Sequence, residues 1–196
     1  MSSNPKYSSH ASAMRLPLLV SLLTAMTVLS GTSAAAAGTG VPRVVVNILV
    51  DQLRTDYLNA FMPLYGQEGF VRLLNEGRVY AQAEYPHYRP DRASAAATLA
   101  TGTTPYNHGI VALKWLDRET LRPVFCVNDK NYAGLQTTDA SSPIFLGVST
   151  VGDELKVATE GKALVYAIAP FRDAAILSAG HAADAAVWID DRTGQW

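Results

Sequence analysis

Cysteine is almost absent from this chain of 196 residues, since Cys126 is the only one. A single cysteine cannot form a disulfide within the chain, so small folds held together by disulfide bonds are excluded. The simplest interpretation of Cys126 is a small, buried apolar side chain. An excess of cations is also absent, because 16 Lys and Arg stand against 17 Asp and Glu. This balance argues against nucleic acid as a partner, since binding the phosphate backbone requires a basic surface.

Charged residues and histidines are both scarce in this sequence. Charged residues make up 17% of the sequence and hydrophobic residues 48%, the reverse of the balance found in disordered chains. The composition therefore predicts a folded protein. The four histidines, His10, His87, His108 and His181, are too widely spaced to form the pattern of a zinc site by themselves.

An apolar stretch long enough to cross a bilayer comfortably is lacking as well. Residues 16–29 are mostly apolar but contain Pro17 and several Ser and Thr. Lys6 and Arg15 precede this stretch and small residues follow it, which is the pattern of a secretory signal. We expect residues 1–38 to be a cleaved signal peptide. The mature chain would be secreted or periplasmic, with no stable membrane span.

The mature sequence begins with alternating strand and helix patterns. Residues 43–50 are β-branched and almost entirely apolar, which is typical of a strand covered on both faces of a parallel sheet. Apolar residues at helical spacing follow over 53–61 and 70–77. Residues 79–81 suit a second strand.

Turn and cap residues divide the second part of the sequence. Asp91 is predicted to cap a helix that Gly102 ends. Residues 111–127 indicate a hairpin, and 128–142 are interpreted as a polar loop. Further elements follow in this order: a helix at 150–159 and strand-like segments at 163–169, 174–177 and 185–190.

This alternation predicts an α/β fold with a layered, mostly parallel sheet flanked by helices. A turn signal at 191–194 follows the last predicted strand, and no return strand comes after it. We therefore expect the fold to be incomplete at the C-terminus. Its exposed edge would need a second chain to cover it.

Asp51 is the first candidate for a functional residue, because it directly follows the predicted strand at 43–50. Ligand sites of open α/β sheets lie beyond the carboxyl ends of the strands, where a carboxylate can hold a metal ion. The alternative is that Asp51 caps the following helix, which is a common use of Asp. Position in the chain alone favours the cap.

Three sequence blocks raise the weight of the metal-binding interpretation. They are Asp51 with the strand before it, the run Leu99–Ile110 that contains Thr-Gly-Thr-Thr-Pro-Tyr-Asn-His-Gly, and the run Ala179–Trp188. Together they resemble the secreted, zinc-dependent phosphatases of the alkaline phosphatase superfamily. Within it they resemble the phosphate-irrepressible, broad-specificity type, allied to type I phosphodiesterases and nucleotide pyrophosphatases. Residues 39–196 resemble only the N-terminal part of such a domain.

The resemblance implies an alkaline-phosphatase-like fold and a site with two zinc ions that hydrolyses phosphate mono- or diesters. In the family, a Thr at a helix start attacks phosphorus, between metals that clamp the attacking and leaving oxygens. An Asn from a hairpin and a Lys-x-Arg pair hold the phosphate oxygens. Asp51 matches the metal ligand that follows the first strand.

The nucleophile position does not match, because the family's Thr falls on Arg92. Arginine has no oxygen to attack with and stays protonated, so it cannot replace that Thr. Ser94 and Asp91 carry oxygen nearby and are the alternatives if the alignment shifts.

The phosphate-binding positions depart from the family as well. The hairpin Asn falls on Leu113, and the Lys-x-Arg pair falls on Phe171 and Asp173. Asp173 would repel a phosphate, whereas Arg172 between them could contribute if the register slips by one residue. The remaining zinc ligands have no counterpart, since the sequence stops before the region that supplies them.

Two functions remain open from the sequence. The first is a metal-dependent hydrolase of phosphate esters, with Asp51 on zinc and an atypical nucleophile. The second is a non-catalytic protein, either a truncated product or a degenerate paralogue that acts in binding or structure. The replaced positions favour the second, because losing a nucleophile usually costs several orders of magnitude in rate.

Overall fold

The computed structural model describes residues 43–85, 87 and 90–196, and the predicted signal peptide lies outside them. The chain divides into two units, Met1–Asn47 and Ile48–Trp196. Of the first unit only 43–47 are described, and they form neither helix nor strand. Within the described residues, no helix has the length and apolar character needed to cross a membrane.

Two short helices open the second unit where the sequence predicts them. Helix α1 covers Thr55–Ala60 and is followed by a 3-10 turn at Met62–Leu64. Helix α2 covers Phe70–Glu76 and ends at Gly77, whose N–H still donates to the Leu73 carbonyl. Neither helix contains a buried residue, so neither contributes to the core.

Helix α3, Arg92–Thr101, is fixed at both ends by the residues that the sequence indicates. Asp91 is its N-cap, and Gly102 ends it in the left-handed conformation at φ +68°. Half of its ten residues are alanine, which favours helix formation and leaves a smooth surface for close packing. The one-turn helix α4, Pro105–His108, follows and ends at Gly109, also at positive φ.

The middle of the chain forms two antiparallel strand pairs. Strands β1 (Lys114–Leu116) and β2 (Pro123–Phe125) form the predicted hairpin, with Trp115 opposite Val124. The predicted loop at 128–142 is wrong. It contains β3 (Asn128–Ala133) paired with β4 (Ala140–Ser141). Because most β3 side chains are polar and exposed, no apolar alternation marks this strand in the sequence.

The last third is a strand–helix–strand unit preceded by helix α5, Val151–Ala158. Strands β5 (Tyr166–Ile168) and β6 (Ala185–Val187) pair in parallel, and helix α6 (Arg172–Ala179) connects them. The strand predicted at 174–177 is therefore wrong. A short run of Ala, Ile and Leu suits a buried helix as well as a buried strand, and only the fold distinguishes them.

The strands predicted at 43–50 and 79–81 are also wrong, since neither range forms a strand. A β-branched run becomes a strand only when a neighbour supplies its hydrogen bonds. In the described part of the chain neither range has a paired strand. Val44 and Ile48 accordingly remain 78% and 77% exposed.

Helices α3 and α6 pack against each other and form the centre of the core. Ala93, Ala96 and Ala97 of α3 are buried against Ile176 and Leu177 of α6. The small alanines allow the two helices to approach closely. Residues outside these helices complete the core: Ile110, Cys126, Val127 and Leu146. Full burial of Cys126 confirms its predicted apolar role.

Candidate active site

The N-terminus of α3 is held by Asp91 and Ser94, the two oxygen-bearing alternatives to Arg92. The Asp91 carboxylate accepts the backbone N–H of Ser94 at 2.8 Å, and Ser94 Oγ accepts the N–H of Asp91 at 3.0 Å. The second Asp91 oxygen accepts the N–H of Leu113 at 2.5 Å. Ser94 is 1% exposed. Both side chains therefore serve the helix cap, and neither presents a free oxygen to a substrate.

Arg92 points from the same helix start into an ion pair with Asp173. Its Nε and Nη2 donate to the two carboxylate oxygens of Asp173 at 2.9 and 2.8 Å. The Asp173 side chain is only 2% exposed, and that of Arg92 27%. The guanidinium also lies over the Phe171 ring, 3.7 Å from its centroid. This planar, two-bond geometry with an aromatic stack is one that arginine provides and lysine does not.

The charge of Asp51 reaches this ion pair. The pKa of Arg92 is raised, chiefly by its hydrogen bond to Asp173, and burial opposes that rise. The negative charges of Asp173, Asp51 and Asp91 add to it. Burial raises the pKa of Tyr85, and Asp51 adds to that shift as well. Asp51, Tyr85 and Arg92 therefore share one electrostatic environment.

Arg172 begins helix α6, next to Asp173, and is also engaged. It donates to Asn128 Oδ1 at 3.0 Å and pairs with Asp139 at 3.3 Å. Its guanidinium lies 4.6 Å from the centroid of the Phe125 ring. Because residues 172–179 are a helix, the alternation between strand faces does not apply to this segment. Asn128 and Asp139 lie in the range mistaken for a loop, so the sequence did not reveal these partners.

A groove of about 650 Å³ joins these residues, and Arg92, Leu113, Phe125, Phe171 and Arg172 contribute to its wall. Its remaining charged residues are Lys114, Asp139, Asp173, Asp191 and Arg192. The groove therefore has four cations against three acids. The two innermost cations are already paired, so no concentrated positive field remains to attract a phosphate. Asp51 is not among the residues that line the groove.

Residues 45–193 match the family of type I phosphodiesterases and nucleotide pyrophosphatases. The chain belongs to this family. It is 37% identical to the alkaline phosphatase PhoV of Synechococcus elongatus over 158 residues, which cover 79% of this chain and 29% of PhoV. It is 35% identical to the alkaline phosphatase PafA of Elizabethkingia meningoseptica over 175 residues, which cover 86% of this chain and 32% of PafA.

Solved structures of PafA show the same fold. The wild-type crystal structure matches 74% of this chain and 28% of its own, with a TM-score of 0.71 and 34% identity. A PafA mutant with four substitutions gives a TM-score of 0.72 and 35% identity over 74% of this chain and 29% of its own. The predicted α/β fold of alkaline phosphatase type is confirmed. The chain spans less than a third of the length of the curated relatives it matches.

The donor set does not fit the two zinc ions that the family resemblance implies. Among the residues that the structure describes, no group of three or more His, Cys, Asp or Glu is arranged to hold a metal ion. The carboxylates of Asp91 and Asp173 already accept hydrogen bonds at both oxygens. Asp51 remains as one exposed carboxylate, and a structural or catalytic zinc needs three or four protein donors.

His108 and His181 are hydrogen-bonded within the scaffold. Fully buried His108 accepts the N–H of Ile110 at Nδ1, 3.1 Å away, so its proton is on Nε2, which contacts Thr98 Oγ1 at 3.1 Å. His181 contacts the Asp153 carboxylate at 3.2 Å and the Leu146 carbonyl at 3.0 Å.

Asp153 is a buried residue that the sequence analysis missed. Its carboxylate accepts hydrogen bonds from the backbone of Thr150 and Ala182, besides contacting His181. These bonds hold the pKa of Asp153 below its usual range although burial opposes the shift. The Thr150-x-x-Asp153 spacing of a capping box is the signal that would have revealed it.

Proposed function

We propose that this chain is a member of the type I phosphodiesterase family that keeps the alkaline-phosphatase scaffold and does not transfer phosphoryl groups. The observation that carries the proposal is the ion pair between Arg92 and Asp173. The family resemblance assigns Arg92 to the nucleophile and Asp173 to a phosphate-binding cation. Here the two residues neutralise each other, and their contact occupies the space between the two helix starts.

Each replaced position removes one part of the chemistry. Arg92 cannot attack phosphorus, because the guanidinium has no nucleophilic oxygen and keeps its proton. Leu113 contributes an apolar side chain where the family has a donor to phosphate. Phe171 stacks on Arg92 and offers no charge. Since oriented donors and cations provide most of the rate in phosphoryl transfer, these losses act together.

A zinc-dependent hydrolase of phosphate mono- or diesters is the second candidate. Membership of the family favours it, together with the position of Asp51, whose charge acts on the start of α3. In such an enzyme Asp51 would contribute one ligand to zinc. The remaining ligands would have to come from outside the residues that the structure describes.

The proposed setting is outside the cytoplasm. Residues 1–38 have the pattern of a secretory signal, so we propose a secreted or periplasmic protein that functions by binding or by supporting a larger assembly.

The test is a hydrolysis assay of the mature chain, residues 39–196, with zinc present. The substrates are p-nitrophenyl phosphate and its bis ester, and PafA serves as the positive control. We expect no release of p-nitrophenol above the buffer rate with either ester. The Asp51→Ala variant should give the same baseline, as should Asp56→Ala, in which a nearby exposed acid is removed.

Turnover that is abolished by a chelator and by Asp51→Ala, but not by Asp56→Ala, would contradict the proposal and favour the hydrolase. Turnover that is equal in all three proteins and insensitive to chelator would also contradict it, and would indicate a site that does not use Asp51.

A further inference from the structure

Two acids stand beside a single guanidinium at the start of α3. Arg92 bonds directly to Asp173 and follows Asp91 in the chain. Carboxylates so placed would repel one another if no cation lay among them. In metalloproteins a divalent ion commonly meets that need.

The hydrogen bonds show how each acid is satisfied here. Both oxygens of Asp173 accept from Arg92, at 2.8 and 2.9 Å. Both oxygens of Asp91 accept backbone N–H groups, from Ser94 and Leu113. A metal ion would have to displace these donors before it could bind either carboxylate. It would also approach a permanent positive charge.

Arg92 itself is held from two directions. Asp173 fixes its edge through two parallel bonds, and the Phe171 ring covers its face at 3.7 Å. Two bonds and a stack leave the guanidinium little freedom to swing away. Its position is therefore built into the packing of α3 against α6.

We propose that the guanidinium of Arg92 is the resident cation of this site, and that it takes the place of a metal ion in neutralising the buried carboxylate of Asp173. The chain would then fold and remain stable without divalent metal. This inference uses the same ion pair as the proposed function, but it concerns stability and can fail independently of hydrolytic activity.

The test is thermal unfolding of the mature chain, followed by circular dichroism after treatment with EDTA and again with zinc added. The wild-type Tm should be the same in both conditions. Arg92→Thr should lower the Tm by about 10 °C, because it leaves Asp173 buried without a partner. Zinc should recover part of that loss, since the freed Asp173 carboxylate can then attract it.

Two control variants distinguish the effect of the Arg92 charge on stability from the effect of packing. Arg92→Lys keeps the cation and should lose less stability than Arg92→Thr, with no response to zinc. Arg72→Ala removes an exposed arginine paired with Glu68 and Glu76 and should leave both the Tm and its zinc independence unchanged.

Three results would overturn the inference. The first is stoichiometric zinc binding by the wild-type chain in isothermal titration calorimetry, with a rise in Tm. The second is a destabilised Arg92→Thr protein whose Tm does not respond to zinc, because the loss would then be one of packing. The third is a zinc response in Arg92→Lys. If Arg92→Thr does not fold, the zinc titration of the wild-type chain and the zinc response of Arg92→Lys test the inference instead.

Discussion

Cys126 shows how burial controls a single side chain. It is fully buried, and that burial raises the pKa of its thiol to about 12, with Asp173 and Asp91 adding to the shift. At pH 8 we expect native Cys126 to react with iodoacetamide about a thousandfold more slowly than an unfolded thiol, because the thiolate is the reactive form. Mass spectrometry before and after denaturation in guanidinium measures this. Rapid labelling of the native chain would show that the thiol is accessible.

His108 should make stability depend on pH. Its pKa is lowered from the usual value of 6.5, chiefly by burial and then by the charge of His87. The unfolded chain therefore takes up a proton at a higher pH than the folded chain. Stability is full above about pH 6.5 and is lost as the pH falls through the lowered folded value.

Urea unfolding of the wild type and of His108→Gln between pH 7.5 and 5 tests this expectation. The variant lacks the titrating ring, so its free energy of unfolding should fall less steeply over this interval. Equal slopes in the two proteins would assign the pH dependence to other groups.

Single residues were predicted well wherever their role is local. The cap at Asp91 follows from neighbouring residues, and the structure confirms it. The partnership of Arg92 with Asp173 joins residues 81 positions apart, and nothing near either one indicates it. Taken alone, each residue indicates that a function has been lost, whereas in the fold the two side chains form a complementary ion pair.

At the scale of elements, the contact of Gly180 with the start of α5 gives a sharp prediction. Gly180 has φ +82°, and a Cβ there would lie 2.2 Å from Thr150 Oγ1 and 2.6 Å from Asp153 Oδ2. Gly180→Ala should therefore cost at least about 2 kcal/mol of unfolding free energy, from backbone strain and displacement of the Asp153 network.

Gly161→Ala is the matched control. Gly161 has a similar φ of +78°, but nothing lies within 4 Å of an added Cβ. Its substitution should cost only the backbone strain, about 1 kcal/mol. Urea unfolding measures both proteins, and equal losses would refute a role for the Thr150 contact.

Helices were easier to predict than strands for a physical reason. Caps and breakers such as Asp91, Gly102 and Gly77 act within a few residues, so the sequence contains the information. A strand depends on a partner that is distant in the chain. That dependence explains both the missed pair β3–β4 and the mistaken strand at 43–50.

At the scale of the whole molecule, strand β5 exposes an apolar face. Tyr166 and Ile168 on the strand and Leu164 just before it are 62%, 72% and 68% exposed. An exposed apolar surface next to a short pair of parallel strands favours association with other chains. We expect the mature chain to self-associate, and Ile168→Lys to reduce the associated fraction without changing the helical content.

Size-exclusion chromatography with light scattering over a range of concentrations measures that association, and circular dichroism checks the fold. A wild-type chain that stays monomeric and unfolds cooperatively would contradict the expectation. Lys130→Ala, which changes a residue on β3 rather than on β5, is the control and should leave the association unaltered.

The bond between Arg92 and Asp173 also limits how the chain can change over generations. A mutation that introduces threonine at position 92 leaves an acid buried without its partner, and one that introduces arginine at 173 places two like charges face to face. Either single change therefore gives a less stable protein, so the two positions are constrained to change together.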